Sequence, residues 1–347
     1  MKIVETKTNN KKNYITLLSV ISAFAVLMLH CNTVNWEYSS ERFWLTSNIV
    51  FCVFYYAVPI FFMITGANLL DYQDKYSTKV YFLKRIKKVL IPYLFWSLIV
   101  IFYFLFSKKN ITFSDLSFTY IFNGLSMGSI MPFYWFFAPL FCVYLCIPLF
   151  ASVEKSKRKK LFTFLLVLGF ILNAFIPFIS KLFELNLANN IFVIVTYNYL
   201  LYALAGYMLD KYDLQKRDRI LIYILGLIGL LSMFIGTQVL SDREGKIIEI
   251  FKGYTNVPCI MYSVSIFVFV KELCKKINIP KLINILSKYT FEFYLMHFFV
   301  IDIIRRIFNP NIKSIWYRLP MPFIIMVIVI LITWLLRKIP IVKKIVP

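Results

Sequence analysis

Ten stretches of about 20 mainly apolar residues follow one another along this chain, each bounded by charge, and a segment of that length spans the hydrocarbon core of a bilayer. Their approximate limits are 14–34, 46–70, 89–107, 131–151, 161–180, 189–209, 220–240, 253–273, 289–308 and 315–336. Runs of this length predict transmembrane helices. Composition closes off the alternatives. Of 347 residues 60% are hydrophobic and only 16% charged, against about a quarter charged in a soluble domain. That much apolar surface exceeds what one water-facing fold of this size can bury, which excludes a soluble enzyme, and its hydrophobicity excludes a disordered chain. The chain reads as an all-α, polytopic membrane helix bundle of about ten transmembrane helices. It is expected to form a single integral membrane domain over residues 1–347, with a short N-terminal tail at 1–13.

The formal net charge of +22 would by itself suit a nucleic-acid partner. Its placement points to a lipid bilayer instead. With the N-terminus inside, 28 of the 39 Lys and Arg fall in inner segments. The other 11 are Arg42, Lys108, Lys109, Lys181, Arg243, Lys246, Lys252, Arg305, Arg306, Lys313 and Arg318. Basic residues collect in cytoplasmic loops, so this asymmetry sets both termini in the cytoplasm and accounts for the basic total with no nucleic acid. The first run resembles a signal peptide, with Ala23-Phe24-Ala25 behind Lys11 and Lys12. Val26, Leu27, Met28 and Leu29 carry the apolar stretch past that site, so it reads as a retained helix. No repeat, low-complexity tract or loop longer than about 25 residues offers a second domain. Of the six cysteines, Cys142 and Cys146 lie one turn apart in an apolar run, where cysteine is a small buried hydrophobe rather than a metal ligand. Neither a metal site nor a disulfide framework is implied.

Two histidines occur, His30 and His297, both inside expected spans. An ionisable group in hydrocarbon is costly and points to a functional site in the bundle interior; a neutral imidazole bonding across helices is the structural alternative. Counting 1.5 Å per residue from Tyr14 puts His30 roughly 24 Å up a core about 30 Å thick. Counting from Tyr289 puts His297 only about 12 Å deep, so the two rings fall at different depths and need not touch, with separate roles unless a helix is strongly tilted or broken. Tyr294 precedes His297 by one turn on the same face, where its hydroxyl can orient the ring or a substrate. Asp302 is spaced to pair with Arg305 or Arg306.

Where the third span begins, Lys84, Arg85, Lys87 and Lys88 precede Pro92-Tyr93. Such a cluster suits the phosphates of a nucleotide-like cofactor, Arg85 offering a bidentate fork and the lysines point charges. Orientation and anionic lipid head groups call for the same charges, so both readings stand on the residues alone.

Several of these pieces together resemble the bacterial acyltransferase 3 family of multi-span membrane proteins, over about Tyr14 to Trp334. The first helix ends in His30, and Phe61-Phe62-Met63-Ile64-Thr65-Gly66 is similar to the family's FFxxSG. Lys84-Arg85 through Lys88 to Pro92-Tyr93 is similar to RRxxRxxPxY. Trp135-Phe136-Phe137 through Tyr144 to Pro148 resembles the WFL segment, and Tyr294-Leu295-Met296-His297 the late YLxH segment. One departure stands out: Ser19 occupies the position, eleven residues before the first-helix histidine, where many members carry Arg.

The resemblance implies transfer of an acyl group, usually acetyl from acetyl-CoA, to a hydroxyl of a cell-surface glycan or lipid-linked sugar at the bacterial plasma membrane. It implies His30 as the base, with His297 as a second proton carrier or donor-positioning group and Tyr294 orienting the substrate. Arg85, Lys84 and Lys88 become contacts to the CoA phosphates on the cytoplasmic side. An imidazole with a reference pKa near 6.5 suits deprotonation of a sugar hydroxyl at neutral pH. CoA inside and sugar outside are separated by most of the bilayer, so either the pantetheine arm threads inward or the acyl group is relayed. With no further domain expected after the last span, the chain acts on the acceptor itself or hands the group to a glycan-synthesis partner protein. The competing reading is a transporter or flippase of a lipid-linked sugar, with buried His and Asp as proton relays; it leaves the order of the motifs unexplained.

Overall fold

The computed structural model describes residues 2–107, 112–185 and 192–339. Lys108 and Lys109 of the outer basic set, Lys343 and Lys344 of the inner set, and residues 189–191 of the sixth expected span lie outside them. The described residues are helical with no strand. In chain order the helices are α1 (Lys2–Cys31), α2 (Arg42–Phe54), α3 (Ala57–Leu69), α4 (Thr78–Arg85), α5 (Ile91–Phe106), α6 (Phe118–Met127), α7 (Phe137–Ala151) and α8 (Lys155–Phe170). They continue with α9 (Ile176–Leu182), α10 (Tyr199–Lys211), α11 (Lys216–Glu244), α12 (Val257–Leu273), α13 (Lys281–Leu286), α14 (Thr290–Phe308), α15 (Ile315–Arg318) and α16 (Met321–Leu336).

Among the described residues seven helical runs are long and apolar enough to cross a membrane: 13–31, 42–74, 78–106, 132–151, 155–182, 216–244 and 315–336. The fold is the expected all-α polytopic bundle, and the other three expected spans correspond to α10, α12 and α14. The first two of these are short, at 13 and 17 residues, and α14 carries Glu292, Asp302, Arg305 and Arg306. Helix α10 begins only at Tyr199, behind a 3₁₀ turn at Ile194–Thr196 and Asn198 at φ 49°, ten residues later than its apolar pattern suggests. Helix α6 was not expected; Ser117 Oγ caps it by accepting from the Tyr120 N–H at 3.1 Å, and Gly128 at φ 66° ends it.

Three prolines shape the long runs. The second expected span is two helices, broken at Tyr55–Tyr56, because Pro59 has no N–H to offer the Tyr55 carbonyl one turn back. Pro92 and Pro177 are each preceded by a widened π turn, Ile86–Leu90 and Ile171–Phe175. There Ile91 N donates to Ile86 O and Ile176 N to Ile171 O, so the helix runs on around the proline ring.

The chain divides into two compact units. The first comprises Met1–Leu69 and Val153–Ile328. In it α1 packs against α2, α3, α12 and α14, while α3 lies along α10 and α11 along α12. Small residues set the α3–α10 contact: a methyl added at Gly66 would sit 1.8 Å from the Ala203 carbonyl oxygen, and one at Gly206 2.1 Å from that of Met63. The Tyr14 hydroxyl donates to Asp210 near the end of α10, and Lys271 Nζ donates to the Leu209 carbonyl at 2.6 Å and to Asp213 at 3.2 Å. Hydrogen bonds from Lys275, and then from Lys271, hold the Asp213 carboxyl below its ordinary range.

The loop before α12 buries Lys252, whose Nζ lies 4.9 Å over the Phe51 ring and 3.8 Å from Glu249, with no hydrogen-bond partner. Burial pushes its ammonium below the usual lysine range. Glu249, 39% exposed, stays hydrated when the ammonium is removed, so Lys252→Met is expected to match or exceed the wild type in thermal stability at neutral pH. A lysine whose folded pKa is depressed binds more protons unfolded, so wild-type stability rises with pH between the two pKa values and the variant's advantage shrinks there. A melting-temperature loss for the variant at neutral pH would contradict this.

The second unit comprises Leu70–Ser152 and Val329–Pro347. Its core is aromatic: Tyr93 packs on Phe137 at 4.5 Å between centroids and donates to the Leu125 carbonyl at 2.6 Å, and the Tyr81 hydroxyl donates to the Tyr144 carbonyl at 2.9 Å. Cys142, expected as a buried hydrophobe, is exposed on α7, and Cys146 is half-buried. With α7 apolar on all sides, periodicity gave no means of telling its core face from its outer one.

The charge asymmetry makes a labelling prediction. In a cysteine-free background, single cysteines beside Lys157 and Lys216 are expected to be protected from an impermeant maleimide in intact cells, and one beside Lys246 to react. The reverse pattern would invert the orientation.

Candidate active site

Helix α1 carries His30 on its last turn, and α14 brings His297 against it. The two imidazoles stack with centroids 4.8 Å apart and planes inclined by 27°. His297 is fully buried and His30 half-buried. Nδ1 of His297 lies 2.9 Å from the Phe293 carbonyl. A carbonyl only accepts, so a neutral ring here donates through Nδ1 and carries its lone pair on Nε2. The half-buried Tyr294 ring sits 6.1 Å from that of His297, tilted by 47°. Three sequence-selected residues thus meet in one place.

The expectation of separate depths is corrected. Helix α13 and the turn at Ser287–Tyr289 already lie beside α1, so the chain comes up to α1 before Tyr289, where the count began. The stack itself sets His297 level with His30. The polar character of Lys281-to-Lys288 hid this approach from a count based on apolar length.

The turn that follows His30 is held by two arginines that sequence reasoning treated only as loop charge or as partners of Asp302. Arg318, 1% exposed, donates from Nη1 to Asn32 Oδ1 at 2.9 Å and from Nη2 to Thr46 Oγ1 at 2.7 Å. Asn32 Nδ2 in turn donates to the Ser47 carbonyl at 2.8 Å. Arg305 donates from Nη2 to Thr33 Oγ1 at 2.9 Å and from Nε to the Tyr317 hydroxyl at 3.2 Å. Asp302 pairs with Arg306 at 2.9 Å, one of its two expected partners, leaving Arg305 for the turn. Ser19 is satisfied within α1, its hydroxyl donating to the Ile15 carbonyl at 2.8 Å.

In the second unit the basic cluster rides on α4 and the π turn. Lys84 Nζ lies 3.8 Å over the Tyr76 ring, and the Arg85 guanidinium faces Tyr81 and Tyr144 at 6.0 and 5.5 Å. Arg85 Nε is buried with no hydrogen-bond partner, while Lys87 and Lys88 are exposed. Pro92-Tyr93, Phe137 and Tyr144, parts of two separate motifs, share this unit's core. Among the described residues no group of three or more His, Cys, Asp or Glu is placed to hold a metal ion.

Paired imidazoles inside an apolar helical bundle are acid–base equipment placed where water is scarce, which suits either a membrane enzyme or a proton-coupled carrier. A family comparison separates the two. The family model described as an acyltransferase domain matches residues 12–338, nearly the whole chain, and the chain belongs to this acyltransferase 3 family. It is a membrane acyltransferase. No curated protein and no solved structure matches it.

Proposed function

We propose that the protein is an O-acyltransferase of the bacterial plasma membrane, moving an acyl group, acetyl foremost, from acyl-CoA to a hydroxyl of a cell-surface polysaccharide or lipid-linked sugar. The observation that carries this reading is the His30–His297 stack at the end of α1. His30 is the base: it takes the proton of the sugar hydroxyl as that oxygen bonds to the thioester carbonyl carbon. As the C–S bond breaks, the imidazolium returns the proton to the departing sulfur, leaving an ester and a free thiol. His297, fixed by the Phe293 carbonyl, holds the plane of the His30 ring and serves as a second proton carrier. Tyr294 orients the substrate beside it.

Arg85, Lys84 and Lys88 are the proposed contacts to the CoA phosphates. The donor set fits a polyanion, since Arg85 Nε is buried without a partner and Lys88 is exposed. The Arg85→Glu/Lys88→Glu double variant is expected to bind acetyl-CoA roughly 10- to 100-fold more weakly while remaining inserted, because charge-assisted contacts to phosphate are lost. Unchanged affinity in a stable double variant would return these residues to setting orientation. The reading as a whole is tested by incubating purified protein with radiolabelled acetyl-CoA and candidate glycans. Label in the glycan is expected; sugar translocation with no label transferred would favour a flippase.

A further inference from the structure

The two arginines at the turn after His30 have no part in the proton transfers above, and their surroundings are unusual for buried cations. Arg318 is almost fully buried, yet its hydrogen bonds go only to the neutral oxygens of Asn32 and Thr46, and its Nε has no partner. Arg305, half-buried and two turns beyond His297 on α14, likewise bonds only hydroxyls, those of Thr33 and Tyr317. Neither is ion-paired to a carboxylate among the described residues. Asp302 pairs with Arg306 at 2.9 Å and Glu41 with Lys313 at 3.6 Å.

Withdrawing a guanidinium from water without a counter-charge is costly, and neutral acceptors recover only part of that cost. Arg318, so withdrawn, and the half-buried Arg305 bind adjacent residues, Asn32 and Thr33, which follow the proposed base by two and three positions. A guanidinium is also the side chain whose planar fork matches phosphate and carboxylate oxygens.

We propose that Arg305, together with Arg318, recognises an anionic group, a phosphate ester or a carboxylate, on the sugar acceptor whose hydroxyl is presented to His30. This rests on the acyl-transfer reading and adds the charge class of the acceptor to it. A phospholipid head group at the same surface carries the same chemistry, so the test separates the two sources.

Full-length protein in phosphatidylcholine nanodiscs is titrated with glucose 1-phosphate, glucuronate and uncharged methyl glucoside. At least one charged probe is expected to bind ten or more times tighter than methyl glucoside and to be displaced by inorganic phosphate. Arg305→Gln is expected to bring its affinity down to that of the neutral probe, Arg305→Lys to retain part of it, and Lys313→Gln, which removes a charge from the same face, to change it less than twofold. Equal affinities for charged and neutral probes in the wild type would overturn the proposal even if every Arg305 variant misfolded, as would full charged-probe affinity in Arg305→Gln. Loss of probe binding when phosphatidylglycerol replaces phosphatidylcholine would assign the arginines to a lipid head group and overturn it too. Release of labelled acetate or its transfer from acetyl-CoA, measured on the same preparation, reports on the acyl-transfer reading separately from these binding results.

Discussion

His30→Ala is expected to lower the rate of acyl transfer by about 10² to 10⁴ with little loss of inserted, folded protein. The rate loss is what removing a general base typically costs. Folding is spared because His30 is half-buried on the last turn of α1, and the next residues are anchored independently by Arg318 and Arg305. His30→Gln should not restore activity: glutamine can occupy the site and hydrogen-bond, but it takes up no proton at neutral pH. Wild-type rate should fall on acidification, since only neutral imidazole accepts the proton. His297→Ala is expected to lose activity and thermal stability together, because its ring is fully buried and deletion leaves a void beneath His30. Label transfer and thermal unfolding, measured on each variant, separate these outcomes. Near-normal transfer by His30→Gln would make His30 structural and move the search for the base to His297.

The bundle was legible because a 20-residue apolar run has one use in a chain this hydrophobic, and the histidines were legible because they are the only two and lie inside such runs. The stacking of His30 on His297 was not, since Lys281 to Lys288 reads as a loop although it already flanks α1. The π turns and the break at Tyr55–Tyr56 had a signal in Pro59, Pro92 and Pro177, each inside an apolar run, which a hydropathy count passes over. Arg305, Arg318 and Lys252 fell into the outer-loop tally for a related reason. Counting charge beside a span cannot tell a solvated residue from one folded back into the protein, as burial of Arg318 and Lys252 shows. Lys84 and Arg85 were recognised as a cluster, but their seats over Tyr76, Tyr81 and Tyr144 depend on contacts between segments up to about 60 residues apart.

Gly66→Val is expected to be the most destabilising change at the contact of α3 with α10, with Gly206→Val close behind. Both glycines lie where α3 and α10 meet backbone to backbone, and the nearest obstacle to a new Cβ is a carbonyl oxygen rather than a side chain able to swing away: Ala203 O at 1.8 Å and Met63 O at 2.1 Å. The helices would have to part. Overpacking of a tight interface costs about 1–3 kcal/mol for modest insertions, and a β-branched side chain against backbone belongs at or above the top of that range. Because α1 packs on α3, the displacement would also reach the helix that carries His30, so activity should fall with stability rather than independently of it. Gly245→Ala provides the contrast. Nothing lies within 4 Å of its added Cβ, but its φ of 63° makes any side chain cost about 1 kcal/mol, with no effect on α1. Thermal unfolding in detergent should therefore rank Gly66→Val below Gly206→Val, and both well below Gly245→Ala. If Gly66→Val melted with the wild type, α3 and α10 would not be in backbone contact, and Gly66 would need another reason to stand in the Phe61-to-Gly66 motif.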